Sequence, residues 1–374
     1  MVPEYKDKNN EKITIINTLA FYYIFLASKE LDPKERELHW SKVVDFLSRS
    51  QKIEMANKLT WMGRGMAKLF ENQYEQASKS FDTSLERGVL IPSLIGKGLT
   101  AYNQDNYLNA IRYFRKAILD NPGCPEEVRF ALGVCFYKQN KIQASKECFE
   151  RVLEMNPENT EALIAMAIIE LNSDSAKDKR KSIETAFKYI KRAHDSNPKH
   201  PRLINFLSEH FFFAEDYSPI LKLASASYSS TDIKEIKAES KYQMGRYYHS
   251  QGKYQEAFDS YLESTKLWPQ YALPQYGLGQ LFIWKKEYSH AINAFEQVIL
   301  QYPNNFEALH ILASLYIKVR KEKKAIDYLQ RAIENNPHDY QSKLLLAQLI
   351  QTDPNEKYEK ALKCKKNLSN SKKF

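Results

Sequence analysis

Glycine is scarce in this sequence: eleven residues in 374, against 24 tyrosines and 19 phenylalanines. That shortage excludes folds that use glycine in phosphate-binding loops and tight strand turns, and with so many aromatic rings it points to an all-helical chain. Cysteine is equally thin. Cys124, Cys135, Cys148 and Cys364 form no CxxC pair and stand without histidines at metal-ligand spacing, so free thiols in a reducing compartment are expected and a zinc site is not. No apolar run reaches membrane length. The best candidate, "ITIINTLAFYYIFLA" at 13–27, carries Thr14, Asn17, Thr18, Tyr22 and Tyr23; it is too short to span a bilayer and reads as a helix. Basic charge is missing from the body of the chain. The net charge is +9, but residues 355–374 hold seven Lys and two Glu, which is +5, leaving +4 for the rest. A nucleic-acid-binding body needs a dense basic face, so nucleic acid is expected to be contacted at most weakly, through the lysine-rich tail.

Catalytic signatures are absent too. "GKGLT" at 96–100 lacks the upstream glycine of a phosphate loop. The eight histidines are scattered, no HExxH or GxSxG occurs, and Glu126 and Glu127 are explained by the positive end of a helix. The reading is a non-enzyme with no cofactor and no metal.

What is there is a repeat. Ala77, Ala110, Ser145, Ala257, Ala291 and Ala325 align; four residues later stand Phe81, Phe114, Phe149, Tyr261, Phe295 and Leu329. Twelve residues before the first column sit Gly65, Gly98, Gly133, Gly245, Gly279 and Ala313, and a proline follows five of the six copies. A small residue where two helices cross, an aromatic knob and a terminating proline at spacings of 33 to 35 residues make the tetratricopeptide pattern. The expected fold is all-α, a tetratricopeptide-repeat (TPR) right-handed superhelical solenoid. Residues 1–12 are expected to be disordered, 13–57 a degenerate helical pair, 58–339 about eight repeats with a polar insertion near 172–181, 340–366 an incomplete last repeat and 367–374 a basic disordered tail.

In the known geometry of such repeats, positions 2, 5, 9 and 12 of each first helix face a concave groove. Here they supply Met62, Met66 and Leu69; Ile95, Leu99 and Tyr102; Phe130, Val134 and Tyr137; and Ile164, Ile168 and Leu171. The groove is therefore expected to be apolar over four repeats, and mixed beyond them, where Asn205, Glu209, Phe212, Glu239, Tyr242, Arg246 and His249 take the same positions. No repeat has the Lys and Asn pair with which some relatives clamp a terminal carboxylate, so a long apolar or amphipathic protein segment is the expected ligand. The run "HFFFAEDY" at 210–217 puts Phe211 toward the repeat interior, Phe213 toward the seam with the next repeat and Phe212 into the groove.

Several stretches, "NPGCPEEVRFALGVCFYKQNK" (121–141), "SEHFFFAEDYS" (208–218), "AESKYQMGRYYHSQGKYQEAF" (238–258), "LPQYGLGQLFI" (273–283) and "YPNNFEAL" (302–309), resemble the Ctr-type scaffold subunit of the RNA polymerase II-associated factor (PAF) complex. The resemblance runs from about residue 13 to about 350. It implies a nuclear, non-catalytic scaffold that binds other PAF subunits through the groove, reaches RNA polymerase II and chromatin indirectly, supports co-transcriptional histone modification and does not enter membranes. Family members begin earlier and continue further, so the sequence reads as a fragment, a truncated gene product or a reduced homologue. A general TPR adaptor in a ubiquitin-ligase or transport assembly, and the substrate-gripping arm of a sugar-transferring enzyme, are the alternatives.

Overall fold

The computed structural model describes residues 3–30, 32–172 and 179–352. They fold into helices and turns, in two compact units that divide at Pro198 and Lys199. The first unit holds α1 (Pro3–Lys29), α2 (Pro33–Ile53), α3 (Lys58–Phe70), α4 (Tyr74–Glu86), α5 (Ile91–Asn103), α6 (Tyr107–Asp120), α7 (Glu126–Lys138), α8 (Ile142–Met155), α9 (Thr160–Leu171) and α10 (Lys179–Ser196). The second holds α11 (Pro201–Phe213), α12 (Ile220–Ser229), α13 (Lys234–Ser250), α14 (Tyr254–Leu267), α15 (Ala272–Trp284), α16 (Tyr288–Gln301), α17 (Phe306–Lys318), α18 (Glu322–Asn335) and α19 (Tyr340–Thr352). Within each unit every odd helix packs on the even helix after it, and each such hairpin on the next.

The repeat columns are the packing itself. Phe81, Phe114, Phe149 and Phe295 are among the largest fully buried side chains, and each ring lies on the glycine twelve residues before its hairpin's alanine or serine. A methyl group on Gly98 would stand 2.5 Å from the Phe114 ring, and one on Gly279 2.6 Å from Phe295. The helices thus approach as closely as a ring allows, and burying each ring contributes about 2–3 kcal/mol. In the last full repeat the glycine is Ala313 and the knob is Leu329, both fully buried. The larger small residue is matched by the smaller knob.

Asp32 caps α2, its carboxylate accepting from the Lys34 amide at 2.9 Å, with Pro33 opening the helix. Between α1, α2 and α3 a buried polar knot joins Asn17, Ser50 and Thr60, with Ser50 and Thr60 hydroxyls 2.7 Å apart. The segment read from sequence as disordered, up to residue 12, is instead helical from Pro3 onward; it is rich in Glu and Lys, good helix formers, and continues directly into the apolar stretch of α1. Of the insertion expected near 172–181, residues 173–178 lie outside the described residues and α10 has begun by Lys179. The end of the incomplete last repeat, from 353 to 366, and the basic tail at 367–374 also lie outside them. In α19, Leu346, Leu349 and Ile350 are buried against the core of α17 and α18. Among the described residues no helix is long and apolar enough to cross a membrane.

Candidate partner-binding face

The first helices of the repeats turn one side toward their hairpin partners and leave the other open. On that open side of the first unit Leu99 and Leu171 are 37% and 38% exposed, high values for leucine in the middle or last turn of a helix. Met66, Leu69, Ile95, Tyr102, Phe130, Val134, Tyr137 and Ile168 are half-buried, each with part of its apolar surface in water. Their inner edges are anchored. Phe130 tilts on Phe149 with ring centroids 5.3 Å apart, Tyr102 meets Tyr107 edge-on at 5.6 Å, and the Tyr137 hydroxyl accepts from the Asn172 side chain at 3.3 Å. These side chains put partly exposed apolar surface on each of α3, α5, α7 and α9.

Two of the sequence-expected groove residues do not belong to it. Met62 and Ile164 are only 6% and 4% exposed. Both occupy position 5, where the side chain leans toward the neighbouring first helix, although Ile95 and Phe130 at the same position of α5 and α7 stay half-buried. Asn205, at the same position in α11, shows the direction: its amide donates to the Ile236 carbonyl at 3.1 Å and accepts from Ser240 at 2.9 Å, both on α13. Beside the face, Tyr137, Ile142, Lys146, Ile169 and Glu170 help to line a cleft of about 540 Å³. Lys146 and Glu170 are paired there at 2.6 Å, and the hydrogen bond to Glu170 holds the ammonium above its ordinary value.

The equivalent face of the second unit is polar and aromatic. Phe212 is half-buried, and its ring is covered by the Arg246 guanidinium, 3.6 Å from the ring centroid. Phe213 also lies under Arg246, at 4.9 Å, and meets Phe212 edge-on at 6.2 Å, but it is 72% exposed, so the seam expected to bury it leaves most of the ring in water. Phe211 is half-buried, not enclosed. Tyr242 stands 5.5 Å from the same guanidinium and meets Tyr271 edge-on at 5.5 Å. Burial pushes the Tyr242 and Tyr271 hydroxyls above their ordinary values, with Arg246 opposing the shift and Glu209 adding to it. Burial lowers the His249 imidazole from its ordinary value.

Stacked helical hairpins with a glycine-on-ring contact in five of them define a tetratricopeptide-repeat protein, and a tetratricopeptide repeat family description matches residues 126–159, 238–271 and 285–349. Within that class the chain is similar to the Ctr-type, RNA polymerase-associated proteins. It is 28% identical over 263 residues to "Protein CTR9 homolog" of Arabidopsis thaliana, covering 70% of this chain and 24% of that protein. It is 31% identical over 268 residues to "RNA polymerase-associated protein CTR9" of Caenorhabditis elegans, covering 70% and 23%. The chain therefore spans about a quarter of the length of these relatives. Among solved structures it is similar in fold to a chain of the APC/C hetero-tetramer Cut9-Hcn1, with a TM-score of 0.58, 15% identity and coverage of 84% of this chain and 62% of that one.

Proposed function

We infer that this chain is a non-catalytic scaffold of the PAF transcription-elongation complex, working in the nucleus, and that the open face of α3, α5, α7 and α9 holds a segment of another PAF subunit. Contact with RNA polymerase II and support of histone modification follow indirectly, through those subunits. The observation that carries the reading is the apolar face itself. Leu99 and Leu171 sit exposed on a surface whose other members are pinned by the core, and a partner's apolar side chains remove that surface from water at about 25 cal/mol per Å². The similarity to CTR9 proteins supports the identity of the assembly.

The test is affinity purification of the tagged chain from nuclear extract, beside Leu99→Glu and Leu171→Glu. Both leucines are exposed, so glutamate is solvated in the free chain and buried only against the partner. Loss of polymerase-associated factors from the double variant, at unchanged thermal stability, is expected. Unchanged recovery from the variant removes the face from the interaction, and recovery of unrelated machinery by the unaltered chain removes the assembly. Phe130 is a poorer probe than its position suggests, because its ring packs on Phe149 and a charge there unsettles the repeat as well.

A further inference from the structure

We propose that Arg246, seated over the Phe212 ring, is an anchor for a single carboxylate on a partner segment that crosses the second unit, with an apolar residue of that segment resting on Phe213. The proposal goes beyond the apolar face of the first unit and rests on the same reading of first helices as ligand-bearing.

Three observations carry it. The first is placement: the guanidinium lies 3.6 Å from the Phe212 centroid and is approached by Phe213 and Tyr242 at 4.9 and 5.5 Å, so three rings surround it before any ligand arrives. The second is vacancy of charge. Arg246 makes one long hydrogen bond, 3.4 Å, to Gln243 in its own helix, and among the described residues no carboxylate stands within ion-pair distance of it. An arginine has five N–H donors in a planar fork suited to a carboxylate, so most of its donors are unused. The third is the exposed Phe213 ring beside it, 72% accessible, an apolar shelf next to a cation. An unpaired guanidinium seated over one ring and beside an open one is complementary to an acidic residue adjoining an apolar one.

The charges around it set the number of acids. Glu209 on α11 and Glu239 on α13, whose carboxylate accepts from the Asn205 side chain at 3.4 Å, hold the expected groove positions beside it, and both raise the Tyr271 hydroxyl through their field. A second acid in the segment, or a phosphate backbone, meets those carboxylates, so one anionic residue fits and a run does not. This differs from the terminal-carboxylate clamp that the sequence lacks: the anchor is a guanidinium on a ring, not a lysine and asparagine pair.

The experiment uses the full chain as bait for a displayed library of random dodecapeptides, then measures selected peptides by fluorescence anisotropy. The expected result is enrichment of sequences with one Asp or Glu next to an apolar residue. Their affinity should fall at least about tenfold with Arg246→Gln, by less with Arg246→Lys, and by a similar factor when the peptide's acid is changed to its amide. Arg246→Gln should keep the melting temperature of the unaltered chain to within a few degrees. Selection without acidic enrichment, or equal binding to Arg246→Gln, overturns the proposal. Peptides that depend on Leu99 and Leu171 but not on Arg246 overturn it while leaving the apolar face standing. Binding of a single-stranded RNA oligonucleotide that Arg246→Gln abolishes assigns the arginine to phosphate and overturns it as well.

Discussion

Gly98 and Phe114 show how tightly single residues set this fold. A methyl group on Gly98 meets the Phe114 ring at 2.5 Å, and the ring is enclosed on every side. Gly98→Ala is expected to cost about 1–3 kcal/mol of stability by overpacking. Adding Phe114→Leu to it should recover part of the loss, because Ala313 and Leu329 make that very combination in the last full repeat. A double-mutant cycle by urea unfolding checks this, with a coupling of about 1 kcal/mol expected. His249 adds a pH dependence. Burial lowers its imidazole below the ordinary 6.5, so as pH falls the unfolded chain takes up the proton before the folded one does. The His249 contribution is complete above that value and is lost as pH falls below it. The urea midpoint should therefore drop between about pH 7 and about pH 5, and drop less in His249→Gln. Burial also pushes the Cys135 thiol up to about 12 and Cys148 up to about 11. In native protein at neutral pH both should alkylate slowly, and at ordinary rates once urea unfolds the chain, as followed by peptide mass mapping.

At the scale of elements, the shortage of glycine turns out to reach into the turns. Seven first helices end in the same way, with a residue at positive φ, from +55 to +72, just past the cap: Asn72, Asp105, Asn140, Glu215, Gly252, Lys286 and Arg320. The next amide in each case bonds back to a carbonyl five residues earlier at 2.8–3.0 Å, as from Gln73 to Lys68 and from Lys321 to Tyr316. Only one of the seven is glycine. Lys286→Gly is expected to stabilise by up to about 1 kcal/mol, since lysine gains nothing from the left-handed conformation, whereas Asn72→Gly should be nearly neutral. Thermal melts of the two variants decide it. The helical pairs themselves were legible because an aromatic knob, a small residue and a proline recur at fixed spacing. These turns were not, because Glu, Lys and Arg carry no turn signal of their own; their conformation is imposed by the hairpins on either side. The start of α1 was missed for a similar reason: a charged stretch without apolar periodicity looks unstructured until the helix it extends is known.

For the molecule as a whole, most of the positions expected to line the groove keep part of their surface in water, and two do not. Positions 9 and 12 gave Leu99 and Leu171, which are open, whereas position 5 gave Met62 and Ile164, which are buried, and Ile95 and Phe130, which are half-buried. Which way a helical residue leans depends on the crossing of adjacent repeats, and spacing along one helix does not contain that. Phe212 was expected to face the groove; its ring is covered by Arg246, two helices further along the chain, and the pair is visible only when the two repeats are side by side. The central claim is that the open face of the first unit is where a polymerase-associated partner lies. Photo-crosslinking tests it most directly, with a benzophenone amino acid at position 99 in one sample and at position 119 in another, because Leu119 is 79% exposed but lies on the second helix of its hairpin, α6. The account predicts crosslinks from position 99 to polymerase-associated factors in nuclear extract and few from position 119. Crosslinks from position 119 alone, or from position 99 only to proteins outside transcription, contradict it.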